Sequence, residues 1–305
     1  MDASEGAVTT AAAPYIGRFA PSPTGALHFG SLVAAVASYA DARSVNGRWL
    51  LRIEDVDTTR CSMAAEKRIR AQLALHGFEP DGPVLRQRER GERYAAALER
   101  LRACGHIYAC ACSRRTLADA PRNADGETIY PGHCRELALG PEGHALRLHV
   151  PDGIDGEIAF SDRAAGDVRQ HLAPEVGDFV LRRADGIWAY QLAVVVDDAE
   201  QHVTDVVRGA DLLGNTPRQI HLQRRLGVAT PRYLHVPLVR DSCGDKLSKQ
   251  THAAELADDE VLPALHAAWR WLGQAALPTV ATPAAFWRLA IDRWDDGQIP
   301  RNSRQ

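Results

Sequence analysis

The stretch that most constrains this chain is residues 18–31, which read RFAPSPTGALHFGS. A short apolar run precedes it at residues 15–17, and an alanine-rich run follows it at residues 32–40. This order predicts a strand, a turn punctuated by proline and glycine, and a helix that begins near His28. Free backbone N–H groups at a helix start attract phosphate, and Gly30 lacks the Cβ that would hold a phosphate away. The stretch therefore predicts a phosphate-binding turn between a strand and a helix.

A second stretch far downstream, residues 245–250 (DKLSKQ), carries two lysines three residues apart. Lys246 and Lys249 can bring two positive charges to one polyphosphate, where they neutralise charge during phosphoryl chemistry. Each stretch alone also fits a simpler interpretation: an ordinary strand-to-helix turn in the first case, a solvated lysine loop in the second. Their combination favours a nucleotide-binding site.

The two stretches together resemble the HIGH and KMSKS signature motifs of class I aminoacyl-tRNA synthetases. Three segments are similar to the catalytic domain of glutamyl-tRNA synthetase, namely residues 18–25 (RFAPSPTG), 51–57 (LRIEDVD) and 207–212 (VRGADL). The resemblance extends from about Tyr15 to about Gln250. It implies an enzyme that activates glutamate with ATP and Mg²⁺, through in-line attack of the carboxylate on the α-phosphorus.

The resemblance also assigns the catalytic and ATP-binding residues. His28, Lys246 and Lys249 are the implied catalytic groups, and the ATP site consists of His28, Gly30, Ser31 and Lys249. The helix start would stabilise the α-phosphate and the lysines the departing pyrophosphate. Ser31 and Gln250 stand where the class consensus has His and Ser. Because the first histidine and both lysines are present, we expect a tuned rather than an abolished activity.

A glutamate substrate needs cations for its carboxylates and an acceptor for its ammonium group, and arginine offers a carboxylate two parallel donors. By resemblance, the glutamate pocket consists of Arg18, Phe19, Ala20, Pro21, Ser22, Glu54, Tyr190 and Arg208. Arg18 and Arg208 are the candidates for the carboxylates, and Glu54 for the ammonium group. Without the resemblance, Glu54 is better interpreted as a surface charge at a strand end and Tyr190 as a core aromatic residue.

Three of the six cysteines, in the pattern C-x-C at residues 110–112 and Y-x-x-x-C at 130–134, indicate a metal site. Three thiolates make a credible structural zinc site, although the spacing is not the common C-x-x-C pair. The glutamyl-queuosine branch of the family has a zinc-binding insertion here with a tyrosine as fourth ligand. The implied ligands of one structural Zn²⁺ are Cys110, Cys112, Tyr130 and Cys134. Two alternatives stay open: His133 as the fourth ligand, with His106 behind it, or three reduced structural cysteines without metal.

The order of apolar segments predicts an α/β fold, with a Rossmann-type parallel sheet in the catalytic domain and a short C-terminal helical region. The segment that carries the three cysteines interrupts this pattern and is expected to be an insertion, which the resemblance implies is zinc-binding. Strands are expected at residues 48–54 and 106–109, as the second and third strands of the parallel sheet, and at 233–239. A hairpin is expected at 178–190, and helices at 64–76, 89–103, 216–226, 253–273 and 283–294. Apolar runs follow the hairpin at residues 191–198 and 202–208. The expected parts are a disordered leader (1–13), the first half of the catalytic domain (14–109), the insertion (110–173), the second half (174–240), and the lysine motif with C-terminal helices (241–305).

Composition excludes several classes of protein. No apolar run approaches the ~20 residues that span a bilayer, and residues 1–13 lack the basic and apolar regions of a secretory signal. We therefore expect a soluble, cytoplasmic protein. A net charge of −3 argues against an overall basic surface for nucleic acid but leaves room for a local basic groove.

The length narrows the resemblance further. Only 55 residues follow Gln250, too few for the anticodon-binding region of a full glutamyl-tRNA synthetase. We therefore expect the branch that attaches glutamate to the queuosine base in the anticodon loop of tRNA(Asp), acting as a monomer. The alternatives are a short glutamyl-tRNA synthetase that charges a tRNA 3′ end, a non-catalytic tRNA- or zinc-binding paralogue, and a ligase that acts on a small molecule. The intact catalytic set argues against the non-catalytic paralogue.

Overall fold

The computed structural model describes residues 14–123, 126–239 and 254–301. Its helices are α1 (Phe29–Ser44), α2 (Met63–Leu75), α3 (Gly91–Ala103), α4 (Leu172–Glu175), α5 (Tyr190–Glu200), α6 (Thr216–Leu226), α7 (Val261–Trp271) and α8 (Pro283–Asp292). Its strands are β1 (Ile16–Phe19), β2 (Arg48–Ile53), β3 (Leu85–Arg86), β4 (Ile107–Cys110), β5 (Ala145–Leu148), β6 (Glu157–Asp162), β7 (Gly166–His171), β8 (Phe179–Arg182), β9 (Asp205–Gly209) and β10 (Arg232–Val236). Within the described ranges, no helix combines the length and the apolar character needed to cross a membrane.

The main sheet has seven strands in the order β3-β2-β1-β9-β10-β6-β7. Neighbouring strands are parallel except β6 and β7, which pair antiparallel at one edge. On one side of the sheet centre the strands follow chain order from β1 through β2 to β3, and on the other side β10 follows β9, with the earlier strands β6 and β7 beyond it. The carboxyl ends of β1 and β9 therefore flank the crevice in which parallel sheets of this kind bind ligands. The predicted Rossmann-type parallel sheet is confirmed.

A smaller antiparallel sheet has the order β4-β5-β8. The prediction that residues 106–109 add a third strand to the parallel sheet is wrong, because β4 pairs antiparallel with β5, with Ile107 opposite Leu148. The outer neighbour of β2 is instead the two-residue strand β3. The residues of a single strand do not identify the strand with which it pairs, and this explains the error.

Two of the helices lie within one residue of their predicted bounds, α2 shifted by one residue and α6 as predicted. The side chain of Ser62 caps the start of α2, and Gly77, just after the capping residue His76, has a φ of 74° that favours glycine. Helix α6 has Pro217 in its first turn, and the capping residue that follows its last residue, Gly227, has a φ of 64°. Local turn chemistry therefore defines both helices.

The C-terminal helices α7 and α8 pack against α1 and complete the core on that face of the main sheet. Trp269 and Phe286 are fully buried there. Trp287 lies 4.6 Å from Tyr39 between ring centroids, and its Nε1–H donates to the His76 carbonyl at 2.9 Å. These two helices are thus part of the same core as α1.

Candidate active site and cysteine cluster

The turn after β1 places the first motif at the start of α1. His28 caps this helix, and its Nδ1 accepts the backbone N–H of Ser31 at 3.4 Å. Gly30 lies in the first turn of the helix. The predicted helix start at His28 is confirmed.

The chain returns to this point directly after the second motif. The backbone N–H of Leu256 donates to the Leu27 carbonyl at 3.0 Å, and Glu255 forms a β-bridge with His28. The second motif itself lies outside the described residues, and with it Lys246, Lys249 and Gln250.

A cavity of about 730 Å³ opens beside the turn, at the carboxyl ends of β1 and β2. It is lined by eight of the predicted site residues: Phe19, Ala20, Pro21, Ser22, His28, Ser31, Glu54 and Tyr190. Arg18 and Arg208 lie next to this lining and are buried, with exposed fractions of 3% and 5%. The structure thus gathers the residues predicted for phosphate and those predicted for glutamate around one space.

A buried network of charges holds one wall of the cavity. The Asp198 carboxylate lies 3.1 Å from Arg18 Nε and 2.7 Å from Arg52 Nη2, and Arg52 Nη2 lies 3.5 Å from Glu54. Burial raises the pKa of Asp198, but the two arginines outweigh it and hold the pKa below its usual value. Burial raises the pKa of Glu54 above its usual value, although Arg52 and Arg18 oppose this. Glu54 is therefore a carboxylate that faces the cavity and gains from a further cation.

A second network surrounds Arg208. Its Nε donates to His235 Nε2 at 3.0 Å and its Nη2 to Thr216 Oγ1 at 2.7 Å, while Nη1 lies 3.4 Å from the Tyr190 hydroxyl. His235 Nδ1 in turn lies 2.6 Å from Asp162 Oδ2. Burial lowers the pKa of His235 to about 4, although Asp162 raises it. The imidazole is therefore neutral at pH 7, and Arg208 makes all three of these contacts with neutral groups.

Sequence reasoning missed Asp198 and His235, which contact these arginines, and Asp162, which contacts His235. Asp198 ends the apolar run 191–198, and His235 interrupts the apolar strand β10. A buried polar group needs a hydrogen-bond partner. A polar residue in or at the end of an apolar run was therefore the signal that could have found Asp198 and His235.

Cys110, Cys112 and Cys134 come together at the end of β4, with their Sγ atoms within 4.8 Å of one another. Cys112 and Cys134 are 3.5 Å apart. The Tyr130 hydroxyl lies 3.3 Å from Cys110 Sγ and 3.7 Å from Cys112 Sγ. Sulfur donors about 2.3 Å from a tetrahedral zinc ion lie about 3.8 Å from each other. These four residues, named the cysteine cluster, therefore fit around one such ion.

Tyr130, and not His133, stands beside the sulfurs. Its side chain is buried, and the Arg147 guanidinium covers its ring at 3.9 Å from the centroid. Among the described residues, His133 is not one of the clustered donors. Burial raises the pKa of the Cys134 thiol, but the hydrogen bond from Tyr130 and others outweigh it and lower the pKa to about 7. A thiolate, which is the form that binds metal, is thus accessible near neutral pH.

The family described as tRNA synthetases class I (E and Q), catalytic domain, matches residues 16–264, and the chain belongs to this family. A Glutamyl-Q tRNA(Asp) synthetase from Verminephrobacter eiseniae is 55% identical over 92% of this chain and 97% of its own length. Another, from Dechloromonas aromatica, is 54% identical over 95% of this chain and 97% of its own length.

A solved structure, the glutamate-tRNA synthetase from Elizabethkingia anophelis, superposes with a TM-score of 0.79 at 23% identity. The superposition covers 96% of this chain and 68% of that chain. This likeness shows a shared fold and confirms the α/β class predicted from the sequence.

Proposed function

We propose that the protein activates L-glutamate with ATP and transfers it to the queuosine base in the anticodon loop of tRNA(Asp). The observation that carries the proposal is the nearly end-to-end match to relatives named Glutamyl-Q tRNA(Asp) synthetase, which covers 97% of the Verminephrobacter relative. The names of these relatives favour queuosine over a tRNA 3′ end as the acceptor. Because the proposed substrate is a tRNA, we expect the protein to act in the cytoplasm.

The cavity supports the activation step. The glutamate carboxylate would attack the α-phosphorus of ATP as the bond to pyrophosphate breaks. His28 and the backbone at Gly30 and Ser31 stand at the start of α1, where the helix dipole favours the charge of the α-phosphate. Lys246 and Lys249 are proposed to hold the departing pyrophosphate. Mg²⁺ would add positive charge there.

Glutamate recognition is assigned to the two buried networks. Glu54 lines the cavity and would accept the substrate ammonium group. Arg208 would bind a substrate carboxylate through Nη1, which lies beside Tyr190. Arg208 hydrogen-bonds to neutral groups, whereas Arg18 is paired with the Asp198 carboxylate. The positive charge of Arg208 is therefore less neutralised by its surroundings and attracts a substrate carboxylate more strongly.

The cysteine cluster is proposed to hold one structural Zn²⁺ through Cys110, Cys112, Tyr130 and Cys134. The donor set supports this proposal, since three sulfurs and a phenol oxygen lie at separations that suit tetrahedral coordination. The ion would crosslink the end of β4 to residues 130–134.

The test is transfer of radiolabelled glutamate to tRNA(Asp) with and without queuosine, beside tRNA(Glu). We expect label only on the queuosine-containing tRNA(Asp). Label on tRNA(Glu) would make the protein a short charging enzyme. Glutamate-dependent pyrophosphate exchange without labelled RNA would indicate another acceptor, and absence of exchange would contradict an enzyme of this type.

A further inference from the structure

Behind Arg208 lies a histidine whose protonated nitrogen is determined by a buried carboxylate. The side chains of His235 and Asp162 are both fully buried, on the neighbouring strands β10 and β6. His235 Nδ1 lies 2.6 Å from Asp162 Oδ2. A carboxylate at neutral pH only accepts, so Nδ1 carries the proton and Nε2 keeps a lone pair.

Arg208 uses this lone pair. Its Nε donates to His235 Nε2 at 3.0 Å, and its Nη2 donates to Thr216 Oγ1 at 2.7 Å. These two contacts fix one edge of the planar guanidinium. The remaining nitrogen, Nη1, is thereby directed to the hydroxyl of Tyr190 at 3.4 Å, a residue that lines the cavity.

We propose that Asp162 and His235 are positioning residues for glutamate recognition: Asp162 fixes the Nδ1–H tautomer of His235, and His235 Nε2 holds Arg208 in the orientation that meets the substrate carboxylate. This inference rests on the proposed glutamate site. In the other tautomer, Nε2–H would point at the Nε–H of Arg208, with two donors at a separation of 3.0 Å. The guanidinium would then have to turn away from its present position.

A substitution of Asp162 can switch His235 to its other tautomer with little change in side-chain volume. Its Oδ1 accepts the backbone N–H groups of Ala164 at 3.0 Å and Ala165 at 2.8 Å. In Asp162→Asn, the amide oxygen keeps these two donors, which leaves the NH₂ group facing His235 Nδ1. Because that group donates, His235 must accept at Nδ1 and carry its proton on Nε2.

The experiment combines ¹⁵N chemical shifts of the His235 ring with the kinetics of glutamate-dependent pyrophosphate exchange. We expect the Nδ1–H tautomer in the wild-type protein and the Nε2–H tautomer in Asp162→Asn. The KM for glutamate should rise about 10-fold or more in that variant, with the KM for ATP unchanged. His221→Gln is the matched control, since this buried histidine of α6 contacts the His149 carbonyl instead.

Two substitutions of His235 test the same proposal if Asp162→Asn does not fold. His235→Gln can still accept from Arg208 through its amide oxygen and should keep the KM for glutamate within about threefold of wild type. His235→Leu, of similar size, cannot accept and should raise this KM as Asp162→Asn does.

An Nε2–H tautomer in the wild-type protein would overturn the proposal. So would a folded Asp162→Asn with a wild-type KM for glutamate, or equal KM values for His235→Gln and His235→Leu. Failure of the proposed function looks different, because the wild-type protein then shows no glutamate-dependent exchange at all. Absence of exchange would contradict the binding of glutamate by Arg208, and with it the positioning role of Asp162 and His235.

Discussion

The cavity beside α1 and the cysteine cluster are built in opposite ways. The charges at the cavity are held by contacts between residues far apart in the chain, as in the pair of Arg18 and Asp198. The four donors of the cysteine cluster all come from residues 110–134 and form a small core of their own. The cavity therefore depends on the packing of the whole main sheet, whereas the cluster depends on a local crosslink.

This difference separates the expected effects of substitutions. Changes to the buried charges at the cavity should affect the stability of the whole protein or the activation of glutamate. Changes to the cluster should affect metal content and local order, with activation largely preserved.

The largest effect is expected for Asp198→Ala. The substitution leaves the buried Arg18 without the carboxylate it pairs with, and the buried Arg52 without the nearer of its two carboxylates. Removing one partner of a buried ion pair costs about 3–5 kcal/mol, to be measured as the free energy of unfolding in urea. Asp258→Ala is the control, because Asp258 pairs with Arg68 at the surface, and we expect little change there. Equal stability of the two variants would contradict the buried-charge interpretation.

Lys249→Ala should lower the rate of glutamate activation without changing the stability of the fold. We expect pyrophosphate exchange to fall about 100-fold, because one of the two cations proposed for the leaving group is lost. Thermal unfolding and zinc content should stay unchanged. Lys67→Ala, at an exposed position on α2, is the comparison variant. Exchange close to wild type in Lys249→Ala would remove this lysine from the mechanism.

Cys112→Ser should break the cluster and spare the cavity. We expect zinc content, measured by elemental analysis, to fall from about one ion per chain toward zero, since a structural zinc site needs its four ligands. Protease cleavage between residues 113 and 133 should become faster, while exchange stays within about threefold of wild type. Cys104→Ser, at an exposed cysteine outside the cluster, should change none of these. Unchanged zinc content in Cys112→Ser would end the zinc interpretation.

The smallest effect concerns pH. Because burial raises the pKa of Glu54, this carboxylate takes up its proton at a higher pH than an ordinary glutamate does. The negative charge that is proposed to bind the substrate ammonium group is therefore present at high pH and lost as pH falls through the raised pKa. The KM for glutamate should increase with falling pH, up to about tenfold per pH unit below that pKa. In Glu54→Gln, the KM should be high throughout and this dependence should disappear.

Parts of the fold with strong local signals were predictable from the sequence. Helix α6 follows the expected residues 216–226, since proline marks its start and glycine its end. The run 191–198 did not identify its own structure, because a continuous apolar run fits a buried strand or a buried helix equally well. The structure makes it part of α5. The pairing of β4 depends on β5, a strand that lies about 35 residues further on, and short-range patterns carry no information about it.

In the candidate site, too, some residues were predictable from local sequence motifs and others depended on the pairing of strands. Seven of the eight predicted residues that line the cavity belong to the quoted motifs, and Tyr190 joins them from the start of α5. Asp162 and His235 belong to no such motif, and their roles arise only when β6 and β10 pair. Residues that meet through sheet topology cannot be assigned before the order of the strands is known.

The packing of α7 and α8 on α1 also limits how far this chain can be shortened from its C-terminal side. A fragment that stopped at residue 250 would lose Trp287 and uncover its ring partners Tyr39 and Phe78. Such an apolar patch promotes self-association. Expression designs should therefore retain α8, and a fluorescent protein or affinity label belongs beyond it, where the aromatic cluster stays covered.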